Sequence, residues 1–171
     1  MITLNFAFWT FVLLFACIGA MRGWAKEVLV AFSVVVALFI LDIMNYFPPI
    51  RNLFAQPNSD TEFWIRTAVL LTMVFFGYQT PRVARFASGK FMRERFSDSL
   101  LGFFIGAING FLIIGCIWWF MIDSNYPLQP GIVPPNPIPE IVKFLPPEWL
   151  NGMVLYFAMM VAFLFLIIVL I

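Results

Sequence analysis

Long apolar runs separated by polar connections dominate the chain, and they recur at roughly the thickness of a bilayer. A helical span needs about 20 mostly apolar residues, and five segments approach this: 4–21, 24–46, 63–80, 99–122 and 153–171. Membrane barrels are built instead from short segments of alternating polarity. The pattern therefore predicts one all-α domain over 1–171, a bundle of about five transmembrane helices. The first apolar run has no basic start and exceeds the core of a cleavable leader, so it is read as a retained helix.

The connections add topology. "RGWAKE" is very short and predicts that the first two helices form a tight antiparallel pair. The second, "FPPIRNLFAQPNSDTE", leaves its helix sharply at Pro48 and Pro49. The fourth, 123–152, holds eight of the twelve prolines. Proline lacks an N–H and disfavours helix at the residue before it, so extended chain is expected there. Within it "PEIVKFLPPEW" predicts two helical turns beginning at Pro139. Ile141, Val142, Phe144 and Leu145 would give that piece an apolar side for the membrane surface or a partner.

Composition removes a soluble alternative. Hydrophobic residues make up 63% of the chain and charged residues 11%, against about 45–50% and 25% in soluble domains. The net charge of +1 says little until the charges are placed. The first and third connections carry seven of the ten Lys and Arg: Arg22, Lys26, Arg82, Arg85, Lys90, Arg93 and Arg95. Basic residues near helix ends mark the cytoplasmic side. The N-terminus is therefore expected outside, the C-terminus in the cytoplasm and the proline-rich loop outside. Arg82, Arg85, Lys90, Arg93 and Arg95 are also candidates for anionic-lipid contact, each worth about 1 kcal/mol near the surface.

Candidate chemistry is sparse. The chain has no histidine, which excludes histidine-dependent catalysis, proton relay and His-ligated metal from its own residues. Cys17 and Cys116 both lie in apolar runs and read as small buried hydrophobes. Phosphate-binding and dinucleotide motifs are missing from the sequence. No catalytic residue, metal site or nucleic-acid partner is expected, nor any cofactor beyond packing contact with a hydrophobic pigment, quinone or lipid. Asp42 and Arg66 read as the two ionisable residues near membrane depth, at the outer ends of their helices. They are expected to form an ion pair.

Glycines are the exception to this plainness. Gly102, Gly106 and Gly110 recur at intervals of four inside the fourth apolar run, with Asn109 beside them. In lipid, helices associate through close backbone approach and polar contacts. These positions predict a packing face, with Asn109 adding an interhelical hydrogen bond. Gly19 and Gly23, with Ala16 and Ala20, form a second small-residue face at the same depth, so the two faces are placed to meet.

The two glycine phrases also carry a family resemblance. "GAMRGWAKEVLVAFSVVVALFI", through Gly19, Arg22, Gly23, Trp24 and Glu27, resembles the first signature of the colicin V production protein (CvpA) family. "SDSLLGFFIGAINGFLI", through Asp98, Gly102, Gly106 and Gly110, resembles its second. The resemblance covers about 1–122; the family's early acidic residue in the first helix has only Asn5 in its place, and the proline-rich loop and last helix fall outside it. It implies a multi-pass bacterial inner-membrane protein linked to export and envelope processes, and it supplies no catalytic residues. The expected function is a non-enzymatic scaffold or accessory subunit that meets membrane-protein partners through its helix faces and outer loop. The competing expectation is a small transporter or channel component.

Overall fold

A computed structural model describes residues 3–48, 60–79, 92–128, 132, 134, 135 and 138–170. Among them the chain is helical without strands: α1 Leu4–Arg22, α2 Trp24–Met44, α3 Asp60–Tyr78, α4 Met92–Asp123, α5 Pro146–Trp149 and α6 Gly152–Leu170. A 3₁₀ turn, Glu140–Phe144, precedes α5. Residues 49–59 of the second connection and Arg82, Arg85 and Lys90 lie outside the described residues.

Three of these helices are long and apolar enough to cross a membrane: α1, α2 and the Phe96–Asp123 part of α4. The described apolar part of α6, Gly152–Phe165, is shorter. Asp60, Glu62 and Arg66 charge the first turns of α3. α4 begins at Met92 rather than Ser99. Its 32 residues extend about 48 Å at 1.5 Å per residue, beyond a hydrocarbon layer of about 30 Å. Apolarity ended the expected helix at the serine, whereas helix geometry continues through polar residues that need no burial. Arg93 and Arg95 stand in this polar first portion of α4.

One expectation about packing is corrected. α1 and α2 do not form a tight pair; α1 lies along α4, and α2 packs against α3, α4 and α6. The register of α1 on α4 is continuous and antiparallel. Ser99 Oγ donates to the Ala20 carbonyl at 2.8 Å. Gly102 and Gly106 then meet Gly19, Gly106 meets Phe15 and Ala16, and Gly110 meets Val12. At the far end the Phe8 ring meets Phe111 and Trp118, with centroids 5.7 and 5.4 Å apart. The glycine face of α4 is thus covered by the chain's own first helix.

Gly23 makes this divergence possible. It is both the end of α1 and the start of α2, at φ 88° and ψ 154°. That conformation favours glycine, and a methyl group there would come within 2.6 Å of the Asp98 carboxylate.

The core centres on α2. Val30, Val34, Leu38 and Leu41 pack with Phe63, Leu70 and Val74 of α3 and with Ile113, Cys116 and Phe120 of α4. Cys116 is buried as expected, whereas Cys17 is exposed on α1. A second, smaller core joins Phe8, Val12, Trp118 and Leu145. Leu145 belongs to the proline-rich segment and packs there against α1 and α4. Leu145 and Pro146 are buried, and Pro146 sits against Gly115, where a methyl group would lie 2.7 Å from Pro146 Cδ. Replacing Gly115 with valine is expected to lift this segment at a cost of about 1–3 kcal/mol. Limited proteolysis checks it: cleavage within 138–150 should accelerate several-fold, and an unchanged rate would show that Gly115 does not seat the loop.

Candidate functional site: a buried polar clasp at the α1–α2 elbow

Few polar groups lie deep in the helical layers, and the deepest converge where α1 turns into α2. Glu27, in the first turn of α2, is fully buried (0% exposed). An isolated buried carboxylate is unfavourable unless it is paired and hydrogen-bonded, and here both conditions are met. Arg22, the last residue of α1, places Nη1 2.5 Å from Glu27 Oε1. Asn109 of α4, also 0% exposed, donates through Nδ2 to Glu27 Oε2 at 2.8 Å and to the Glu27 carbonyl at 2.9 Å. Arg22 Nη2 donates to the Tyr78 carbonyl at the end of α3, at 3.2 Å. The guanidinium carbon lies 4.2 Å from the centroid of the Tyr78 ring.

Four helices therefore share one charge pair. The single-residue junction at Gly23 brings the end of α1 and the start of α2 together, so Arg22 can reach back to Glu27. Asp98, one turn before the first glycine of α4, accepts from Trp24 N–H at 3.2 Å. Gly23 has no side chain to cap α2, and the carboxylate from α4 supplies the missing acceptor. A negative charge at that N-terminus is also favoured by the helix dipole. Gly19, Gly102, Gly106 and Gly110 let α1 and α4 approach closely enough for Asn109 and Asp98 to reach across.

Sequence reasoning placed Asn109 and the glycines on a packing face; Asn109 reaches Glu27, Gly102 lies against Gly19 and Gly23 beside the elbow, and Gly110 lies farther along α1 on Val12 and Phe15. It missed Glu27 as an ionisable group at depth. The available signal was an arginine and a glutamate five residues apart across a helix-breaking glycine. Arg22–Glu27 and Asp98–Trp24 become visible as contacts only once α4 is seated on both helices.

At the opposite end of the bundle the expected Asp42–Arg66 ion pair is not made. Arg66 instead pairs with Glu62, one turn earlier on α3, and with Asp123 Oδ2 of α4 at 2.5 Å. It also lies 5.8 Å from the Trp119 ring centroid. Asp42 accepts the Tyr156 hydroxyl of α6 on Oδ2 at 2.8 Å. The level was legible but the partners were not, because two carboxylates closer to Arg66 take its guanidinium. Trp119 Nε1 completes this end by donating to Glu148 Oε1 of α5 at 2.7 Å.

Among the described residues, no group of three or more Cys, Asp or Glu is arranged to hold a metal ion. What the elbow can do is mechanical and electrostatic: it ties four helices together through a charge pair whose carboxylate is fully buried and whose guanidinium is partly exposed. A family model described as "Colicin V production protein" matches residues 4–136, which include the whole elbow. No curated protein and no solved structure matches the chain.

Proposed function

From the chain's membership of the colicin V production protein family, we propose that this membrane protein is a non-enzymatic scaffold or accessory subunit of a larger inner-membrane assembly linked to export. The family supports the coarse part of this reading, a membrane protein associated with production and export. The observation that carries the finer part is the outward surface of α1 and α6. Phe6, Trp9, Phe11, Leu13 and Leu14 are exposed on α1, and Met153, Phe157, Met160, Phe163 and Leu164 on α6. Only Leu155 and Ala162 of the described part of α6 are buried. Outward aromatic faces of this breadth suit partner helices as well as lipid, and the glycine face, occupied internally by α1, leaves the outer faces for that contact.

In this reading the chain spans the bilayer five times with its N-terminus outside and C-terminus in the cytoplasm. The basic stretch holding Arg82, Arg85, Lys90, Arg93 and Arg95 rests on anionic headgroups. The chain works without a resident cofactor, and any hydrophobic pigment or quinone would be held by packing alone. Partner chains lie against α1, α6 and the proline-rich loop.

The test is gentle extraction of the tagged full-length chain, with crosslinkers placed on α1, α6 and residues 138–150. A defined membrane-protein partner crosslinked through those faces is the expected result. A lone monomer with no partner under several mild detergents would end the scaffold reading.

A second reading, a small transporter or channel component, draws on the Arg22–Glu27–Asn109 cluster. Charged residues inside membrane helices mark ion or proton pathways in many proteins. Selective flux through the purified chain in liposomes, abolished by Glu27→Gln, would favour it over the scaffold.

A further inference from the structure

The end of the bundle opposite Arg22 holds a cleft of about 150 Å³ between α2, α3, α4 and the α5–α6 junction. Its polar lining comes from Asp42, Asn45, Arg66 and Asn151, with Trp119 and Pro147 among its apolar walls. The hydrogen bonds already made decide which atoms remain for a ligand. Asp42 uses Oδ2 for the Tyr156 hydroxyl, which leaves Oδ1. Asn151 uses its NH₂ group on the Pro147 and Glu148 carbonyls, at 3.1 and 2.8 Å, which leaves its carbonyl oxygen. Asn45, the residue after α2, lines the same cleft and carries a further side-chain carbonyl oxygen. The charge of Arg66, which also lines the cleft, is balanced by Glu62 and Asp123, whereas no ion pair to Asp42 is found among the described residues.

We propose that this cleft binds a primary ammonium group. Such a group has three N–H donors and one positive charge. Three lining residues, Asp42, Asn45 and Asn151, carry acceptor oxygens for it, one of them charged, beside the apolar surface that an attached carbon chain would cover. Charge-assisted hydrogen bonds of this kind are the stronger class. A quaternary ammonium has no N–H to donate and leaves the three oxygens unsatisfied. A metal ion would find one carboxylate rather than a ligand set. A primary amine reaches such a cleft either as the headgroup of an aminophospholipid or as a soluble amine.

The experiment uses the purified full-length chain in detergent. Native mass spectrometry compares retention of dioleoyl phosphatidylethanolamine with dioleoyl phosphatidylcholine, which differ only in methylation of the nitrogen. In parallel, the thermal midpoint is followed with ethylammonium or tetramethylammonium at equal ionic strength. The ethanolamine lipid should be retained about tenfold over the choline lipid. Asp42→Asn should remove most of that preference, and Asn45→Leu, at an exposed position, should weaken it. Glu140→Gln, outside the cleft, should leave it unchanged.

No lipid preference, together with a midpoint raised by ethylammonium in the wild type and not in the variants, supports the same site with a soluble amine as its source. Equal retention of both lipids with no selective response to ethylammonium overturns the proposal. So does a preference that survives both substitutions. Asn45→Leu carries the test if Asp42→Asn does not fold.

Discussion

Replacing Glu27 with alanine is expected to destabilise the protein by about 3–5 kcal/mol, the usual cost of breaking a buried ion pair from one side. The alanine leaves the Arg22 guanidinium, whose side chain is 21% exposed, facing an apolar interior. It also removes the carboxylate partner of the Asn109 amide, which keeps only its bond to the carbonyl of residue 27. Glu27→Gln preserves the shape and one acceptor oxygen but removes the charge, so its loss should be intermediate. The double variant Arg22→Met, Glu27→Met takes away both charges and should be less destabilised than Glu27→Ala. Buried ion pairs replaced whole by apolar residues are often neutral or stabilising. Thermal midpoints in one detergent check the order. A Glu27→Ala midpoint equal to wild type would show that the elbow does not hold the four helices.

The second large effect is expected at Gly106, and its sign separates two physical causes. Helix propensity alone predicts that Gly106→Ala stabilises α4, by about 1 kcal/mol. Packing predicts the reverse. A methyl group at this position would lie 2.5 Å from the Phe15 carbonyl oxygen and 2.9 Å from Gly19 Cα. Both are backbone atoms of α1, so no side chain can rotate away, and the whole helix must move. We expect net destabilisation from alanine and a larger one from leucine, with overpacking of about 1–3 kcal/mol or more.

Separation of α1 from α4 can be read directly with Ala20→Cys and Ser99→Cys in a background lacking Cys17 and Cys116. The parent yield is the reference, these residues being neighbours across the seam with Ser99 Oγ on the Ala20 carbonyl. Gly106→Leu should sharply reduce its yield. A yield unchanged by leucine would mean that the glycines do not set the α1–α4 distance.

These two variants also mark how far the sequence could be read. Gly19, Gly102, Gly106 and Gly110 were recognisable because spacing by four places small residues on one helix face. Asn109 stood out as a polar residue within an apolar run. Glu27 was overlooked because it begins a helix directly after a basic connection, where a charge reads as belonging to the membrane surface. Its burial follows from α4 crossing over the elbow, an event set by residues about 80 positions away. The Asp42–Arg66 expectation failed for a related reason. A common depth narrows the candidates, but the guanidinium is taken by Glu62 on its own helix and by Asp123 across the interface. Proline content predicts an extended loop with a short helical piece. Its seating through Leu145 and Pro146 depends on Gly115 and Trp118, which no local pattern links to it.

The sequence by itself determined the class of this protein: helices rather than strands, residence in a membrane, and glycine faces suited to close packing. Those properties follow from local quantities, namely hydropathy summed over about 20 residues and side-chain size at helical spacing. Tertiary structure alone decided that α1 diverges from α2 at Gly23 instead of pairing with it. It also decided that Arg22, Glu27 and Asn109 close into one buried network, and that Asp42 and Arg66 face a common cleft without pairing. The physical reason is that a charge deep in a helix bundle takes whichever partner the packing brings within about 3 Å, and that packing is a property of the whole chain.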